Sequence, residues 1–296
     1  MARIFAITNQ KGGVGKTTTT VNLAASLAAT RKRVLLVDLD PQGNATMGSG
    51  VDKNDCDYTL YDLLVDEANL SQVLKTSEAG KYDLLPSNAD LTAAEVQLLG
   101  VDNKEFILSN VLRSVDEHYD FILIDCPPSL SMLTVNALAA ADSVIIPIQC
   151  EYYALEGLSA LMNTIARVAD TVNPDITIEG LLRTMYDPRN SLTRDVSDQL
   201  MQHFGERVYR TVIPRNVRLA EAPSHGEPVL AYDRQSKGAI AYLALAGELL
   251  RREDERNVSA DSHSNTDTNT DTNTDTTSTD SAVKGSEHSS ATEYQG

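Results

Sequence analysis

The sequence predicts an α/β fold in which a mostly parallel, twisted sheet carries helices on both faces. Two observations predict it. Short, almost wholly apolar runs alternate along the chain with longer stretches in which apolar residues recur every three or four positions. Polar residues follow directly after several of these apolar runs, and ligands of parallel sheets bind at the carboxyl ends of the strands.

Five apolar runs are predicted strands and six periodic stretches are predicted helices. The strands are expected at residues 4–7, 33–37, 121–124, 143–148 and 176–182. The helices are expected at residues 17–29, 104–117, 133–141, 155–170, 194–204 and 236–252. Because the strands are apolar throughout rather than alternating, both faces of the sheet should be covered.

The composition changes near residue 252. We predict one domain over residues 1–252 and a disordered, acidic tail rich in Asn, Thr and Asp over residues 253–296. The tail contains 10 acidic and 2 basic residues, and the tetrapeptide Asn-Thr-Asp-Thr occurs three times from Asn265 to Thr276. Apolar residues are almost absent there, so no core can offset the entropy lost on ordering.

Composition also limits the classes of function. No run approaches the roughly 18 apolar residues of a membrane span, and no signal peptide is expected, because Met1-Ala2-Arg3 leads directly into the first predicted strand. The 3 cysteines are widely spaced, which fits neither a disulfide framework nor a zinc site. A cytoplasmic protein is expected. The net charge of −17 means that any DNA contact requires a local basic patch.

A glycine-rich loop follows the first predicted strand and opens the first predicted helix. Its order is Gly12-Gly13-Val14-Gly15-Lys16-Thr17-Thr18, with Gln10 where the usual phosphate-loop pattern has glycine. Glycines let backbone N–H groups approach phosphate oxygens, and the helix N-terminus adds partial positive charge. Lys16 can neutralise phosphate charge and Thr17 can place its hydroxyl on Mg²⁺. The fold class is therefore that of a P-loop NTPase.

Carboxylates end two other predicted strands. Asp38 and Asp40 lie two residues apart after the second strand, so their side chains should share one side. Asp38 could hold the water shell of the metal, and Asp40 could orient or deprotonate an attacking water. Asp125 ends the strand at 121–124, as a second magnesium carboxylate would.

Five blocks of sequence resemble one family. The loop with its early lysine, Lys11, resembles the deviant Walker A box of the ParA/MinD ATPases. Segments 38–44 and 125–129 resemble its second box and its Walker B region, and segments 149–157 and 213–226 resemble the chromosomal ParA/Soj branch. The resemblance covers about residues 2–250 and leaves the tail without a counterpart.

The resemblance implies a chromosome- or plasmid-partitioning ATPase that uses ATP and Mg²⁺. Such proteins form an ATP-dependent dimer, bind DNA without sequence preference on the nucleoid, and release it when a ParB-type partner stimulates slow hydrolysis. Lys11 would contact nucleotide across the dimer, Gly12 would approach the facing subunit, and Pro214 and Asn216 would line the adenine. The residues implied to bind nucleotide are Lys11, Gly12, Gly13, Val14, Gly15, Lys16, Thr17, Thr18, Pro214 and Asn216. Lys11, Lys16 and Asp40 would be catalytic, and Thr17, Asp38 and Asp125 would serve the metal.

Arg189 and Arg218 match the arginines of the family's DNA-binding surface. Charge along the chain is compatible with this assignment. Residues 183–237 hold 9 basic and 7 acidic side chains, whereas residues 38–125 hold 5 basic and 18 acidic ones. Phosphate contacts therefore fit the second half of the chain better.

The residues leave three alternative functions open. A MinD-type ATPase would need an amphipathic C-terminal helix to hold a membrane, and the acidic tail lacks an apolar face. A redox relative such as the nitrogenase iron protein would need cluster cysteines, and Cys126 and Cys150 lack that pattern. A nucleotide switch with negligible turnover would not need Asp40.

Overall fold

The computed structural model describes residues 1–264, with side chains described to residue 258. Eight strands form one sheet. In chain order they are β1 (Arg3–Ile7), β2 (Val34–Asp38), β3 (Lys75–Ser77), β4 (Tyr82–Leu85), β5 (Phe121–Asp125), β6 (Ser143–Gln149), β7 (Thr177–Tyr186) and β8 (Val208–Pro214). Their spatial order is β3-β4-β2-β5-β1-β6-β7-β8. All neighbours are parallel except β3 and β4.

Twelve α-helices lie between and after the strands of the described residues. They are α1 (Lys16–Ala29), α2 (Asn44–Gly48), α3 (Leu60–Leu64), α4 (Leu70–Val73), α5 (Leu91–Gln97), α6 (Ile107–Arg113), α7 (Met132–Ala140), α8 (Ala154–Thr171), α9 (Ser191–Phe204), α10 (Val217–Glu221), α11 (Val229–Tyr232) and α12 (Lys237–Ser264). No helix in the described part of the chain is long and apolar enough to cross a membrane.

Two apolar cores lie on opposite faces of the sheet. Along β1, Ile4 and Ala6 belong to one core, and Phe5 and Ile7 belong to the other. The same alternation runs along β2, because successive side chains of a strand point to opposite faces. The prediction of a parallel sheet covered on both faces is therefore confirmed.

The structure adds elements that the sequence pattern did not indicate. β4 is only four residues long, and β8 is interrupted by polar side chains at Arg210 and Thr211, so neither reads as an apolar run. β3 is a short antiparallel strand on the outer edge of β4. β4 pairs with β2 and β8 pairs with β7, both distant in sequence, so periodicity does not reveal these strands.

The last helix differs from its predicted extent. α12 continues past residue 252 to Ser264, into the segment expected to be disordered. Residues Glu253–Arg256 carry charged side chains that suit a helix, and Arg256 contacts Glu253 one turn earlier at 2.6 Å. Residues 265–296 of the predicted tail lie outside the described residues. One compact unit of the chain spans Met1–Arg252.

Candidate functional site

The loop that follows β1 lies at the middle of the sheet's carboxyl edge. β1 pairs with β5 on one side and with β6 on the other. The loop after β1 therefore lies between the two halves of the sheet, at the carboxyl ends of the strands. Gly13 and Gly15 have φ of 73° and 90°, a conformation that side chains with a Cβ rarely adopt. Gly15 immediately precedes α1 and supplies no side-chain cap. The first N–H groups of α1 therefore point towards a ligand position.

Contacts from neighbouring strands hold this loop. Asn9 donates its amide to the carbonyl of Pro147 at 2.8 Å and accepts the backbone N–H of Lys11 at 2.9 Å. Thr184, in β7, donates its hydroxyl to the carbonyl of Val14 at 2.7 Å. The Val14 side chain is buried, so Val14 can contact a ligand only through its backbone. Asn9 and Thr184 were not predicted from the sequence, because the strands that bring them together are distant in the chain.

Lys16 places a nearly buried ammonium beneath the loop. The residue as a whole is 7% exposed, and its Nζ lies 3.5 Å from the carbonyl of Lys11, which is a long hydrogen bond. Burial lowers the pKa of Lys16, and the carboxylates of Asp125 and Asp40 oppose that shift. A desolvated ammonium with so weak a partner is well suited to an anionic ligand such as phosphate.

Asp125 lies at the base of the site, fully buried. Its two oxygens accept the hydroxyls of Thr17, at 2.7 Å, and Thr20, at 3.0 Å. It lies opposite Asp38 in the register of β2 and β5. Burial raises the pKa of Asp125, repulsion from Asp38 raises it further, and the two threonine hydroxyls act in the opposite direction. Thr20 was not predicted, although it lies on the same face of α1 one turn after Thr17.

Asp38 is also fully buried, and its oxygens are already engaged. One accepts both the backbone N–H and the hydroxyl of Thr46, at 2.7 Å each, and the other accepts the N–H of Asp40 at 3.2 Å. Burial raises the pKa of Asp38, and the hydrogen bonds from Thr46 lower it. Asp38 therefore fixes the start of α2 relative to β2.

Asp40 borders the open space of the site. Asp40 is only 9% exposed, and one of its carboxylate oxygens accepts the N–H of Gln42 at 2.9 Å. Its carbonyl accepts the N–H of Gly43 and the hydroxyl of Ser87, at 2.8 Å each. The backbone is thus fixed on two sides, while no hydrogen bond from the described residues occupies the second carboxylate oxygen, which a ligand or a water can use.

A cavity of about 580 Å³ joins these parts. The glycine-rich loop, Asp40 and the segment after β8 all line it. Pro214 ends β8, and Asn216 caps α10 by accepting the N–H groups of Arg218 and Leu219 at 3.0 and 3.3 Å. Met185 lines the same space with φ of 47°, an uncommon value for a residue with a side chain. Of the residues predicted to bind nucleotide, all except Lys11 and Val14 therefore line one cavity.

Lys11 points elsewhere in this subunit. Its Nζ lies 2.6 Å from a carboxylate oxygen of Glu151, in the loop after β6. The two side chains are 40% and 46% exposed. The exposed rings of Tyr152 and Tyr153 follow Glu151, with centroids 5.0 Å apart.

The arrangement suits a magnesium ion that is shared with a ligand. The groups of Thr17 and Asp125 are hard oxygen donors, and a divalent cation would stabilise the ionised form of the buried acid pair. Within the described residues, no three His, Cys, Asp or Glu side chains converge as a metal site. Magnesium keeps waters and takes substrate phosphates, so it does not require such a cluster.

Arg189 and Arg218 lie apart from the cavity floor, near the ends of adjacent strands. Arg189 follows β7 and contacts Asp187, whereas Arg218 lies in α10 and contacts Glu221 and Asp233. Both arginines are partly or largely exposed. Cys126 and Cys150, by contrast, are buried, and burial raises the pKa of both thiols, which fits packing.

Comparison with known proteins places the chain in a family. The family described as "AAA domain" matches residues 2–178. A protein of Pseudomonas putida described only as uncharacterized is 68% identical over 86% of this chain and 96% of its own. The sporulation initiation inhibitor protein Soj of Bacillus subtilis is 54% identical over 84% of this chain and 98% of its own. The chromosome partitioning protein ParA of Caulobacter vibrioides is 49% identical over 87% and 97%, respectively.

Solved structures share the fold. Cobyrinic acid a,c-diamide synthase from Mycobacterium smegmatis, crystallised with an ATP analog and magnesium, superposes with a TM-score of 0.76 at 38% identity, over 86% of this chain and 96% of that one. The cell division ATPase MinD of Pyrococcus furiosus gives 0.71 at 29% identity, over 85% and 99%. Since the family match and the Soj and ParA relatives cover the sheet together with the phosphate loop, this chain belongs to the ParA/Soj-type ATPases of the deviant Walker A family.

Proposed function

We propose that this chain hydrolyses ATP with Mg²⁺, dimerises when ATP is bound, binds duplex DNA without sequence preference, and segregates chromosome or plasmid DNA with a ParB-type partner. The observation that carries the proposal is the single cavity shared by the phosphate loop, Asp40, Pro214 and Asn216. The Soj and ParA relatives supply the biological direction.

The nucleotide would lie along this cavity. Backbone N–H groups of the loop from Gly12 to Thr18 would surround the phosphates, and Lys16 would provide the buried positive charge. The adenine would lie between Pro214 and Asn216, whose amide nitrogen is not used in capping α10. The cavity is of ordinary size for a small-molecule ligand, for which about 300–1,000 Å³ is typical.

Thr17 would bind the magnesium ion through its hydroxyl oxygen, and Asp125 would act through Thr17, because both of its oxygens accept threonine hydroxyls. The bound ion would neutralise phosphate charge. Asp38 would act on that site only indirectly, because Thr46 and the backbone of Asp40 occupy its oxygens. Its contribution would be to fix the segment that carries Asp40.

Asp40 would orient the attacking water and accept its proton. One of its oxygens is held by the N–H of Gln42, so the other can face the water. Turnover would be slow and stimulated by the ParB-type partner.

Two features support a dimer across the phosphate loop. Lys11 is turned to Glu151 on the surface, from which its ammonium can reach a nucleotide in a facing subunit. Gly12 is not required by its own fold, because its φ is not positive and no described heavy atom would lie within 4 Å of a Cβ there. A close approach from outside the subunit would explain a glycine at this position.

Arg189 and Arg218 would contact DNA phosphates from both subunits of the dimer. Residues 183–237 hold only two more basic than acidic side chains, 9 against 7, so doubling the contacts through dimerisation would make binding depend on ATP. The protein would act in the cytoplasm, on the nucleoid.

The first experiment measures binding of duplex DNA with ATP, with ADP and without nucleotide, at two salt concentrations. Binding only with ATP, weaker at the higher salt, is the expected result. Absence of DNA binding in every state, while ATP still binds, would contradict the partition function. A liposome-binding assay of the same samples then tests the MinD-type alternative.

A further inference from the structure

The two proposed DNA arginines are carried by neighbouring strand ends. Tyr186 at the end of β7 lies opposite Pro214 at the end of β8, and the N–H of Arg215 donates to the carbonyl of Tyr186 at 3.3 Å. Arg189 lies three residues beyond Tyr186, and Arg218 lies four residues beyond Pro214. The register of the sheet therefore brings both arginines to one side of the molecule.

Arg189 is held side-on by a carboxylate of its own loop. Its Nε donates to one oxygen of Asp187 at 2.9 Å, and a terminal nitrogen donates to the other oxygen at 2.8 Å. The Arg189 side chain is nevertheless 88% exposed. The hydrogen bonds from Arg189 lower the pKa of Asp187 from its ordinary value to about 2, and the charge of Arg215 acts in the same direction. Asp187 is thus ionised under all ordinary conditions.

Arg218 is held between two carboxylates. One terminal nitrogen lies 2.7 Å from Glu221, and its Nε lies 3.3 Å from Asp233. The Arg218 side chain is 46% exposed. Both arginines of the surface are therefore already engaged with acidic side chains of the same subunit.

A guanidinium binds carboxylate and phosphate with the same paired N–H groups. A DNA phosphate can take the side-on edge of Arg189 only by displacing Asp187, and at the other edge of the guanidinium it meets the negative charge of that carboxylate, as it meets Glu221 and Asp233 beside Arg218. We propose that Asp187 and Glu221 set the DNA affinity of this surface by competing with phosphate for Arg189 and Arg218. The inference rests on the proposed DNA binding.

This competition has a functional consequence. Each arginine of a single subunit gains little from a phosphate, because the phosphate either replaces the intrachain carboxylate or binds beside it and is repelled by its charge. Binding then needs the summed contacts of two subunits, and separation of the dimer returns the arginines to their own carboxylates. The acidic residues would thus make DNA release follow dimer dissociation.

The test compares Asp187→Asn, Glu221→Gln and the double variant with wild type, by fluorescence anisotropy of labelled duplex with ATP. Asparagine keeps the oxygen that accepts the backbone N–H of Arg189 at 3.1 Å, so the turn should persist while the charge is lost. The matched control is Asp198→Asn, which removes one charge from an exposed position of α9. Thermal unfolding checks that each variant folds.

We expect the double variant to bind duplex DNA roughly three- to thirtyfold more tightly, because an exposed ion pair contributes a few tenths to about 1 kcal/mol and two pairs are released. Asp198→Asn should change the affinity by less than about twofold. Adding Arg189→Ala to Asp187→Asn should abolish the gain from Asp187→Asn, because the gain acts through Arg189.

Two results would overturn the inference. Weaker binding by the double variant would mean that the carboxylates position the arginines for DNA. An equal gain from Asp198→Asn would mean that only net charge matters. If wild type itself binds no DNA with ATP, the proposed function fails instead, so the two failures are distinguishable.

Discussion

The hydroxyl of Thr17 donates to Asp125 at 2.7 Å, joining the first turn of α1 to the end of β5. The two residues are far apart in the chain and share one hydrogen bond at the base of the cavity. Asp125→Asn should lower Mg²⁺-dependent ATP turnover by about 100-fold or more, because metal-assisted stabilisation of phosphate charge amounts to several kcal/mol. Steady-state phosphate release over a magnesium titration measures it.

The control for that change is Asp120→Asn, just before the opposite end of β5. Asp120 pairs with exposed Arg33, and such a surface pair contributes little to stability. Turnover by the Asp120 variant should match wild type. Normal turnover by the Asp125 variant would remove Asp125 from the proposed magnesium site.

Asp40→Ala should keep nucleotide binding and lose hydrolysis. Removal of a positioned general base typically costs about 100-fold or more in rate, whereas ATP contacts made by the loop are untouched. Binding of a fluorescent ATP analogue and single-turnover hydrolysis separate the two effects. Asp55→Ala, at an exposed acidic loop, serves as the control. Hydrolysis at the wild-type rate by the Asp40 variant would show that the assigned role is wrong.

Lys11→Ala should abolish ATP-dependent dimerisation, since the ammonium is proposed to complete the facing site. Glu151→Gln should not, because it only releases Lys11 from an exposed ion pair worth about 1 kcal/mol or less. Sedimentation with ATP, in an Asp40→Ala background that preserves the nucleotide, reports both. A monomeric Glu151 variant beside a dimeric Lys11 variant would reverse the proposed roles.

Arg189→Glu with Arg218→Glu should keep the ATP-bound dimer and lose duplex binding. Two phosphate contacts from each of two subunits would vanish, so the slope of log affinity against log salt should fall by roughly four, if any binding persists. Lys81→Glu with Arg113→Glu makes the same change of charge at exposed positions elsewhere. Equal loss of binding by this control pair would show that net charge alone governs the interaction.

Glu248→Ala should destabilise the fold by about 2–4 kcal/mol, because it leaves two N–H groups without acceptors. Glu248 is 6% exposed and accepts the N–H groups of Arg210 and Thr211 at 2.8 and 2.9 Å. Burial alone would raise the pKa of Glu248, but these hydrogen bonds and Arg252 lower it below 4.5. Denaturant unfolding at neutral pH measures the loss.

The pH dependence of that stability has a defined sign. A carboxyl whose pKa is lower in the folded state stabilises the fold above its unfolded pKa and loses that contribution as pH falls through the folded value. The difference in unfolding free energy between wild type and Glu248→Ala should therefore shrink below pH 4.5. A constant difference down to the folded pKa and below would contradict the assignment.

Residue patterns predicted the central strands well and the edges poorly. β1, β2, β5 and β6 are apolar runs because both of their faces are covered, so burial alone makes them visible in the sequence. β4 and β8 lie towards the edges of the sheet and carry polar residues, and their pairing depends on partners far along the chain. The continuation of α12 to Ser264 was likewise not predicted, because the residues after 252 are polar and show no apolar periodicity.

The candidate site divides along the same line. The sequence by itself determined the glycine-rich loop, Lys16, Thr17, Asp40 and Asp125, because each is a local consequence of a strand that ends in a turn with a required residue type. Only the tertiary structure decided what surrounds them, including the Thr184 contact to the loop. It also decided that Arg218 contacts Asp233, which lies outside its own helix. Local backbone geometry is encoded by neighbouring residues, whereas shared cavities form only where the sheet register brings distant segments together.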